Sequence, residues 1–225
     1  MTRLSIIIPT MNEERSIGLV IDEIRKCIPS RIDYEILVID TDSKDRTREI
    51  ASSKGARVID EPRRGYGRAY KTGFENAKGE VIATLDADMT YPADRIAEFV
   101  DMLDSQGIDF ISTNRFAELS PGAMNLTHKF GNRILAVATR LLFRVKLKDS
   151  QSGMWVFRRS ILPKMELRSD GMSLSEELKV EAFKKVKAKE LPIKYSPRIG
   201  EVKLNTWRDG KNNLKFLFRK RLGRA

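Results

Sequence analysis

The chain is poor in cysteine and in uninterrupted apolar sequence. Its 225 residues include one cysteine, Cys27, so an intramolecular disulfide is excluded. The N-terminal residues enter an apolar stretch directly and lack the layout of a signal peptide. The longest apolar region, residues 134–145, is interrupted by Arg140 and Arg144 and is shorter than the roughly 18 uncharged residues that a membrane span requires. We therefore expect a cytoplasmic protein whose membrane contact is at most peripheral.

Signatures of nucleic-acid binding are also missing, although the chain is strongly basic. The formal net charge is +11, from 42 Lys and Arg against 31 Asp and Glu residues. Such a charge favours a phosphate-rich partner, which can be a nucleic acid, an anionic membrane, or a nucleotide with a phosphorylated acceptor. The sequence has no zinc-ligand spacing, no arginine-rich arm and no RNA-binding aromatic strand signature. We therefore expect no nucleic-acid partner.

Apolar runs alternate with amphipathic stretches of helix length in the first half of the chain. The runs predict strands at residues 4–8, 35–39, 56–59, 81–85 and 110–112, and the stretches between them predict helices at 13–28, 45–54, 66–78 and 92–106. Strands that are apolar on both faces and alternate with helices indicate a mostly parallel sheet covered on both sides. The length suits one large α/β domain.

The pattern changes after Arg115. A loop with Ser120-Pro121-Gly122 leads into a predicted helix at residues 124–145, and a predicted strand follows at residues 154–157. The segment from Lys211 onward is basic and amphipathic. We expect this half of the chain to be built around the same site as the first half rather than to form a second domain.

Two carboxylates, Asp86 and Asp88, follow the predicted strand at residues 81–85 and are separated by Ala87. Such a pair at the open end of a buried strand can hold a hard divalent cation, and that cation can hold a diphosphate. The spacing is weak evidence alone, because residues 40–42 repeat it and a solvated turn that closes a strand is the alternative. The chemistry favoured is transfer of a phosphate-activated group.

Polar clusters follow two further predicted strands, at residues 9–13 and 40–45. In open parallel sheets, ligands bind beyond the carboxyl ends of the strands, so both clusters can line a nucleotide pocket. Glu13 would then contact a polar group, and Asp40 would accept hydrogen bonds from the base or the ribose. The alternative is a structural role, since both clusters contain residues that commonly cap helices.

Basic residues at three further places can neutralise a diphosphate. Arg115 ends a predicted strand, Arg198 and Lys203 flank Gly200, and residues 63–73 combine glycines with basic side chains. A departing diphosphate requires such charge, and a bidentate arginine supplies it well. The alternatives are ordinary surface cations and, for residues 63–73, a turn that caps a helix.

The ordered set of these segments resembles glycosyltransferase family 2, and within it the polyprenyl-phosphate sugar synthases of the dolichol-phosphate mannose synthase type. The form of residues 86–92 is similar to archaeal relatives that handle several sugars. The resemblance covers nearly the whole chain. It is carried by residues 6–13, 38–47, 65–70, 86–92, 114–116, 149–153 and 200–204.

The resemblance implies a fold and an activity. The fold is GT-A type, a Rossmann-like, mostly parallel sheet with helices on both faces, in one domain with a nucleotide-sugar-binding half (residues 1–115) and an acceptor-binding half (residues 116–225). The activity is inverting transfer of a hexose from a nucleotide diphosphate sugar, GDP-mannose or a UDP-sugar, to dolichyl or another polyprenyl phosphate. The alternatives are a family-2 transferase with a soluble or protein acceptor, and a non-catalytic membrane-associated subunit that retains the fold.

The resemblance also implies roles for individual residues. Those at the nucleotide are Pro9, Met11, Glu13, Val38 and Asp40. Those at the sugar diphosphate and at Mg²⁺ or Mn²⁺ are Asp86, Ala87 and Asp88. Those around the phosphates are Arg115, Arg198 and Lys203, with Lys129 and Arg133 as further candidates for the acceptor phosphate. Asp88, Arg115, Arg198 and Lys203 are the expected catalytic group.

Three positions depart from the pattern of that family. Thr41 stands where a second aspartate is usual, Thr90 where mannose synthases commonly have glutamine, and Met154 where an aromatic residue is usual. Thr90 weakens an assignment to mannose. Met154 leaves the identity of the acceptor undecided.

Two segments are expected to lie on an anionic membrane surface at the cytoplasmic face. The helix at residues 124–145 is predicted to present Ile134, Leu135, Ala138, Leu141 and Leu142 on one apolar face beside Arg133, Arg140 and Arg144. The C-terminal segment is predicted to form a similar apolar face from Leu214, Leu217, Phe218 and Leu222. Such helices can bind the interface of an anionic bilayer, and the alternative is a face packed on the core.

Overall fold

The computed structural model describes residues 2–200 and 206–223, so Lys203 lies outside the described residues. The strands are β1 (Leu4–Thr10), β2 (Tyr34–Asp40), β3 (Arg57–Asp60), β4 (Val81–Thr84), β5 (Phe110–Leu119), β6 (Trp155–Arg158) and β7 (Ala188–Tyr195). The α-helices are α1 (Ile17–Cys27), α2 (Thr47–Ser53), α3 (Tyr66–Asn76), α4 (Arg95–Ser105), α5 (Leu126–Phe143), α6 (Leu174–Lys185) and α7 (Thr206–Arg221). A 3₁₀ helix spans Arg159–Lys164.

The strands form one sheet in the order β3-β2-β1-β4-β6-β5-β7. β1 pairs in parallel with β2 and β4, β2 with β3, and β5 with β7. β6 pairs antiparallel with both β4 and β5, so it alone among these strands runs against the others. The mostly parallel sheet predicted from the sequence is confirmed.

Helices cover both faces of this sheet. On β1, Ile6 and Ile8 pack in a core with residues of α1 and α4, whereas Ile7 packs in the opposite core with residues of α3 and α6. Successive side chains of a strand point to opposite faces, so a strand covered on both sides is apolar at every position. That is why the first strands read as continuous apolar runs.

Several elements differ from the sequence prediction. β5 extends to Leu119 rather than ending at residue 112, and neither α6 nor β7 was predicted. α6 buries Glu176, Glu177 and Lys179, so its sequence lacks the polar and apolar periodicity that marks a surface helix. β7 contains Pro192, which is tolerated because β7 lies at the edge of the sheet.

The predicted apolar face of α5 is divided in two. Leu135, Ala138 and Leu142 pack in a core with Val180 of α6 and Leu217 of α7. The other side of the helix carries an exposed apolar row, here called the α5 stripe, and the exposed fractions of its members are Leu126 81%, Phe130 68%, Ile134 45%, Val137 42% and Leu141 75%. The prediction of one broad outward face was therefore wrong, since about half of it is core.

The apolar residues of the C-terminal helix, α7, are likewise divided between core and surface. Leu217 is buried between α5 and α6, whereas Phe218 and Leu222 are exposed. Within residues 2–200 and 206–223, no helix combines the length and the apolar character needed to cross a membrane.

Candidate active site

A cavity of about 480 Å³ lies at the carboxyl ends of the strands. Its walls come from the loops after β1, β2 and β4, the start of α3, and parts of α5 and α7. The predicted site residues that line it are Pro9, Met11, Glu13, Asp86, Ala87, Asp88, Arg115 and Arg198. Parallel strand ends meet at one edge, which explains how residues distant in sequence reach one cavity.

Backbone strain is concentrated at this edge. Asn12, Asp42 and Met89 have positive φ values of 54°, 61° and 64°, and they follow β1, β2 and β4 respectively. A non-glycine residue in the left-handed region is uncommon and is retained where the surrounding structure imposes it. The three strand ends are thus turned sharply at the same place.

Asp88 is held on two sides. Its Oδ1 accepts hydrogen bonds from the Thr90 backbone N at 3.1 Å and from Thr90 Oγ1 at 2.6 Å. Its Oδ2 accepts from Arg198 Nε at 2.8 Å and lies 2.7 Å from Arg198 Nη2. The Ile199 N–H also donates to the Asp88 carbonyl at 2.9 Å, which fastens the Arg198 loop to the aspartate loop. Thr90, one of the three departures, therefore orients Asp88.

Asp86 lies in the wall of the same cavity as Asp88. Burial and the nearby Asp88 charge raise the pKa of Asp86 to about 7. A Cβ atom at Gly153 would lie 3.5 Å from Asp86 Oδ1 and only 2.4 Å from Tyr66 Oη, so a side chain at this position would force Tyr66 to move.

This carboxylate pair has the donor chemistry of a hard divalent cation. Asp86 and Asp88 supply oxygen atoms at one end of the cavity, and Mg²⁺ is typically bound by one or two carboxylates together with substrate phosphates. No cluster of three or more potential metal-ligating side chains occurs in the part of the chain that the structure describes. The pair therefore fits a cation shared with a diphosphate rather than one caged by protein.

Two residues predicted to contact the nucleotide lie in the core. Val38 packs between the sheet and the helices on one face, and Asp40 is fully buried. Asp40 accepts hydrogen bonds from Thr10 Oγ1 at 2.8 Å and from the Ser43 N–H at 3.0 Å, and it also pairs with Arg48. These contacts make Asp40 a support for the loops after β1 and β2, and its role at a nucleotide stays a prediction.

Arg115 reaches the cavity from β5 and is fixed by Asp149. Its Nε and Nη2 donate to the two carboxylate oxygens of Asp149 at 2.8 and 2.9 Å, and its guanidinium carbon lies 5.3 Å from the centre of the Tyr195 ring. Burial disfavours the charge of Asp149, but Arg115 outweighs that effect and holds the pKa of Asp149 below its ordinary value. Arg115 is therefore a rigid cation.

Sequence reasoning missed two residues that hold the loop around Asp149 in place. Lys179 of α6, fully buried, donates from Nζ to the Asp149 carbonyl at 3.0 Å. Glu190 of β7 accepts from the Asp149 N–H at 2.9 Å. Both lie on elements that the sequence pattern did not predict, and a buried lysine has no signature in a single sequence.

Sequence reasoning also missed the contribution of α5 and α7 to the cavity. Lys129 and Arg133, the predicted phosphate ligands on α5, do not appear among its described lining residues. The helices instead contribute Met124, His128, Gly131, Asn132 and Leu135 from α5 or the residues before it, and Asp209, Gly210 and Asn213 from α7. Gly131, a glycine inside the helix predicted at residues 124–145, was the available signal.

The glycine-containing segment 65–70 forms the N-terminus of α3. A Cβ atom at Gly65 would lie 2.3 Å from the Asp170 carbonyl oxygen, and one at Gly67 would lie 2.7 Å from that of Ser169. These glycines are therefore explained by close packing on residues 169–171. Gly65 and Tyr66 also line the cavity.

A family model described as glycosyl transferase family 2 matches residues 5–165, and this range contains the sheet edge and the aspartate pair. The chain belongs to glycosyl transferase family 2. The resemblance inferred from the motifs, and with it the expectation of a glycosyltransferase, is thereby confirmed.

Two curated relatives come from Haloferax volcanii. The low-salt glycan biosynthesis hexosyltransferase Agl6 is 36% identical over 95% of this chain, which spans about half (52%) of that relative. A dolichyl-phosphate hexose transferase is 33% identical over 92% of this chain and 89% of that relative.

Among solved structures, this family-2 chain is similar to glucosyl-3-phosphoglycerate synthase from Mycobacterium tuberculosis in complex with Mn²⁺, UDP and glucosyl-3-phosphoglycerate. The TM-score is 0.79 at 20% identity, over 100% of this chain and 81% of the other. The same enzyme has also been solved with Mg²⁺ and UDP. This likeness confirms the GT-A fold.

Proposed function

We propose that this family-2 protein transfers a hexose, with inversion, from a nucleotide diphosphate sugar to a polyprenyl phosphate such as dolichyl phosphate. The observation that carries the proposal is the meeting of Asp86, Asp88 and Arg198 in one cavity at the carboxyl edge of the sheet. The 33% identity to a dolichyl-phosphate hexose transferase over most of both chains supports the acceptor class.

The donor is assigned to the half of the cavity between the β1 and β2 loops and the aspartate pair. Pro9, Met11 and Thr41 line that half and offer the base and ribose a mixed apolar and polar wall. Asp86 and Asp88 would hold Mg²⁺ or Mn²⁺, which would neutralise the diphosphate and make it a better leaving group. Glu13, also in the wall, is available to a polar group of the nucleotide.

The protein's own part in the reaction is positioning and electrostatic stabilisation. A phosphate acceptor is already an anionic nucleophile at neutral pH, so transfer requires no strong protein base. Arg198, next to Asp88, would stabilise charge on the departing nucleotide, and Lys203 is proposed for the same task. Arg115, held by Asp149, would attract the acceptor phosphate without moving.

The α5 stripe supports contact with a membrane surface. Its five apolar side chains are exposed, Lys129, Arg133 and Arg140 lie beside it at helical spacing, and Arg144 follows at the C-terminal end of the helix. An amphipathic helix of this composition can rest in the bilayer interface and gain about 1 kcal/mol per basic residue near an anionic surface. We propose this face as the one that meets an anionic membrane on its cytoplasmic side, where the lipid acceptor would be found.

The test is a transfer assay with purified protein. GDP- and UDP-hexoses are combined with a short polyprenyl phosphate in one series and with soluble phosphorylated acceptors in another, with Mg²⁺, Mn²⁺ or EDTA, and the products are identified by mass spectrometry. Transfer to the polyprenyl phosphate supports the proposal. Transfer only to a soluble acceptor favours the alternative family-2 activity, and binding of nucleotide sugar without transfer to any acceptor favours the non-catalytic subunit.

A further inference from the structure

One buried lysine lies beside the loop that fixes Arg115, and the proposed function gives it no role. Lys179 of α6 is fully buried, and its Nζ donates to the Asp149 carbonyl at 3.0 Å. In the part of the chain that the structure describes, Lys179 forms no ion pair with a carboxylate. A charge without a close partner is costly to remove from water, so the presence of Lys179 requires a compensating reason.

The hydrogen bond to Asp149 does not by itself supply that reason. Ser175, one turn earlier on α6, places its hydroxyl 3.2 and 3.0 Å from the carbonyl oxygens of Ser150 and Ser152. A neutral donor thus serves other carbonyls of the same loop. Such a donor avoids the cost of burying an ammonium group, so the feature that distinguishes Lys179 is its charge.

The charge of Lys179 faces two carboxylates on neighbouring elements. Burial lowers the pKa of Lys179 to about 7, and the charges of Asp149 and Glu190 oppose that effect. Glu190 Oε1 accepts from the Lys148 N–H at 3.0 Å and from the Asp149 N–H at 2.9 Å. Burial raises the pKa of Glu190, while these two donors and Lys179 favour its ionised form. Lys179 and Glu190 therefore hold the carbonyl and the N–H of one residue.

Four side chains around this loop, here called the Asp149 cluster, carry charges that sum to zero: Arg115, Asp149, Lys179 and Glu190. Arg115 and Asp149 form one pair, joined by two hydrogen bonds at 2.8 and 2.9 Å. Lys179 and Glu190 are the other two opposite charges. Burial raises the pKa of the nearby Glu176 to about 8, so that carboxyl group is largely neutral at pH 7. Without Lys179 the cluster would have one net negative charge, next to an arginine that lines the cavity.

We propose that Lys179 is a positioning residue that acts through Arg115: its charge offsets that of Glu190, so Arg115 stays able to attract the phosphate of the acceptor. The inference rests on the proposed function, in which Arg115 receives that phosphate, and extends it to a residue that does not touch the substrate. A buried charge acts over several ångströms, because the protein interior screens it less than water does. An uncompensated Glu190 would therefore repel an anion in the cavity.

The experiment compares Lys179→Met, Glu190→Gln and the double variant with the native protein. Methionine nearly matches lysine in length and removes the buried charge. The amide oxygen introduced by Glu190→Gln can still accept both backbone hydrogen bonds. All three variants are therefore expected to fold, and thermal unfolding checks this. The kinetics are measured with a short polyprenyl phosphate at saturating nucleotide sugar.

The acceptor KM should follow the charge of the Asp149 cluster. We expect Lys179→Met to raise it about tenfold, with a smaller change in kcat, because one charge near the bound anion is removed. Glu190→Gln should lower the acceptor KM. The double variant should return it to near the native value, because the charges balance again. A purely structural role of Lys179 predicts no such rescue.

Lys185→Met is the matched control, because Lys185 lies on the same helix with 36% of its side chain exposed, and it should keep the native KM. A native KM in Lys179→Met would overturn the inference, as would a double variant as impaired as Lys179→Met. If Lys179→Met did not fold, an unchanged or raised KM in Glu190→Gln would overturn it instead. A native protein inactive with polyprenyl phosphates would refute the proposed function and this inference with it, whereas an active one with unresponsive variants would refute the inference alone.

Discussion

Arg198 directs two of its donors at a single oxygen of Asp88. Nε lies 2.8 Å and Nη2 2.7 Å from Oδ2, while Thr90 occupies Oδ1. The two residues are 110 positions apart in the chain, and the carbonyl of Asp88 also accepts the Ile199 N–H. Arg198 is therefore positioned by the same carboxylate that we propose as a metal ligand, so both groups would act on the same diphosphate.

We expect Asp88→Asn to lower turnover on the order of 100-fold or more, the range found when one charge-stabilising group is removed from an active site. The substitution removes the negative charge that would bind the cation and also weakens the hold on Arg198. Initial rates with saturating donor and acceptor measure the effect. Asp94→Asn, at an exposed aspartate, should be neutral. Full activity of the native protein in EDTA would contradict the metal assignment.

Arg198→Lys should reduce kcat at least tenfold although it keeps the charge, because an ammonium group cannot reproduce the planar fork of arginine. Arg198→Ala and Lys203→Ala should both impair catalysis more than folding. Kinetics and thermal unfolding on the same samples separate the two effects. If both alanine variants had normal turnover, with stability changes within about 0.5 kcal/mol, the two residues would be ordinary surface cations.

Asp149→Asn should strongly destabilise the fold. It leaves the buried Arg115 without its ionised partner, and loss of one member of a buried ion pair typically costs about 3–5 kcal/mol. Urea unfolding followed by circular dichroism gives the value. Asp101→Asn is the matched control, because Asp101 also forms a two-donor pair, with Arg31, but on the surface, and should cost less than about 1 kcal/mol. Equal losses of stability in the two variants would mean that Asp149 does not hold Arg115 in a buried ion pair.

Glu61 should make stability depend on pH. Arg63 above all, and also Thr72 and Arg68, hold the pKa of Glu61 well below its ordinary value of 4.5, against the opposing effect of burial. A lowered folded-state pKa contributes stability that is complete above the unfolded value and is lost as pH falls below it. Glu61→Gln should therefore lower the thermal midpoint at pH 7, and the gap to the native protein should narrow below about pH 4.5. A gap that widens on acidification would contradict this assignment.

Membrane binding should depend on the α5 stripe. Phe130→Ser combined with Leu141→Ser should reduce flotation with anionic vesicles at low salt, because both side chains are exposed and available to lipid. Binding of the native protein should also fall as salt rises. Leu19→Ser, at an exposed leucine of α1, is the control. Deletion of residues 211–225 is a poor test, because it removes the core residue Leu217. A native protein that stays unbound at low salt would favour a soluble acceptor.

Much of the cavity wall after β1, β2 and β4 could be predicted from the sequence. Apolar runs marked β1, β2 and β4, and the polar residues after them had to meet at one edge because the strands are parallel. This reasoning correctly placed Asp86, Asp88 and Glu13 at that edge of the sheet. The ordered motifs then indicated the family, and the resemblance to that family implied a role for Arg198. These features are local in sequence, so a single chain reveals them.

Other features depend on contacts between residues distant in the sequence, and only the tertiary structure shows them. Asp40 ends a strand as predicted, yet Thr10, Ser43 and Arg48 enclose it. α6 buries charged residues, among them Lys179, which holds the loop at Asp149, so its sequence lacks the periodicity that would have predicted a helix. α5 is apolar around most of its circumference, and only packing against α6 and α7 decides which side faces outward. Periodicity reports that a side chain is apolar, but its burial depends on which distant segment covers it.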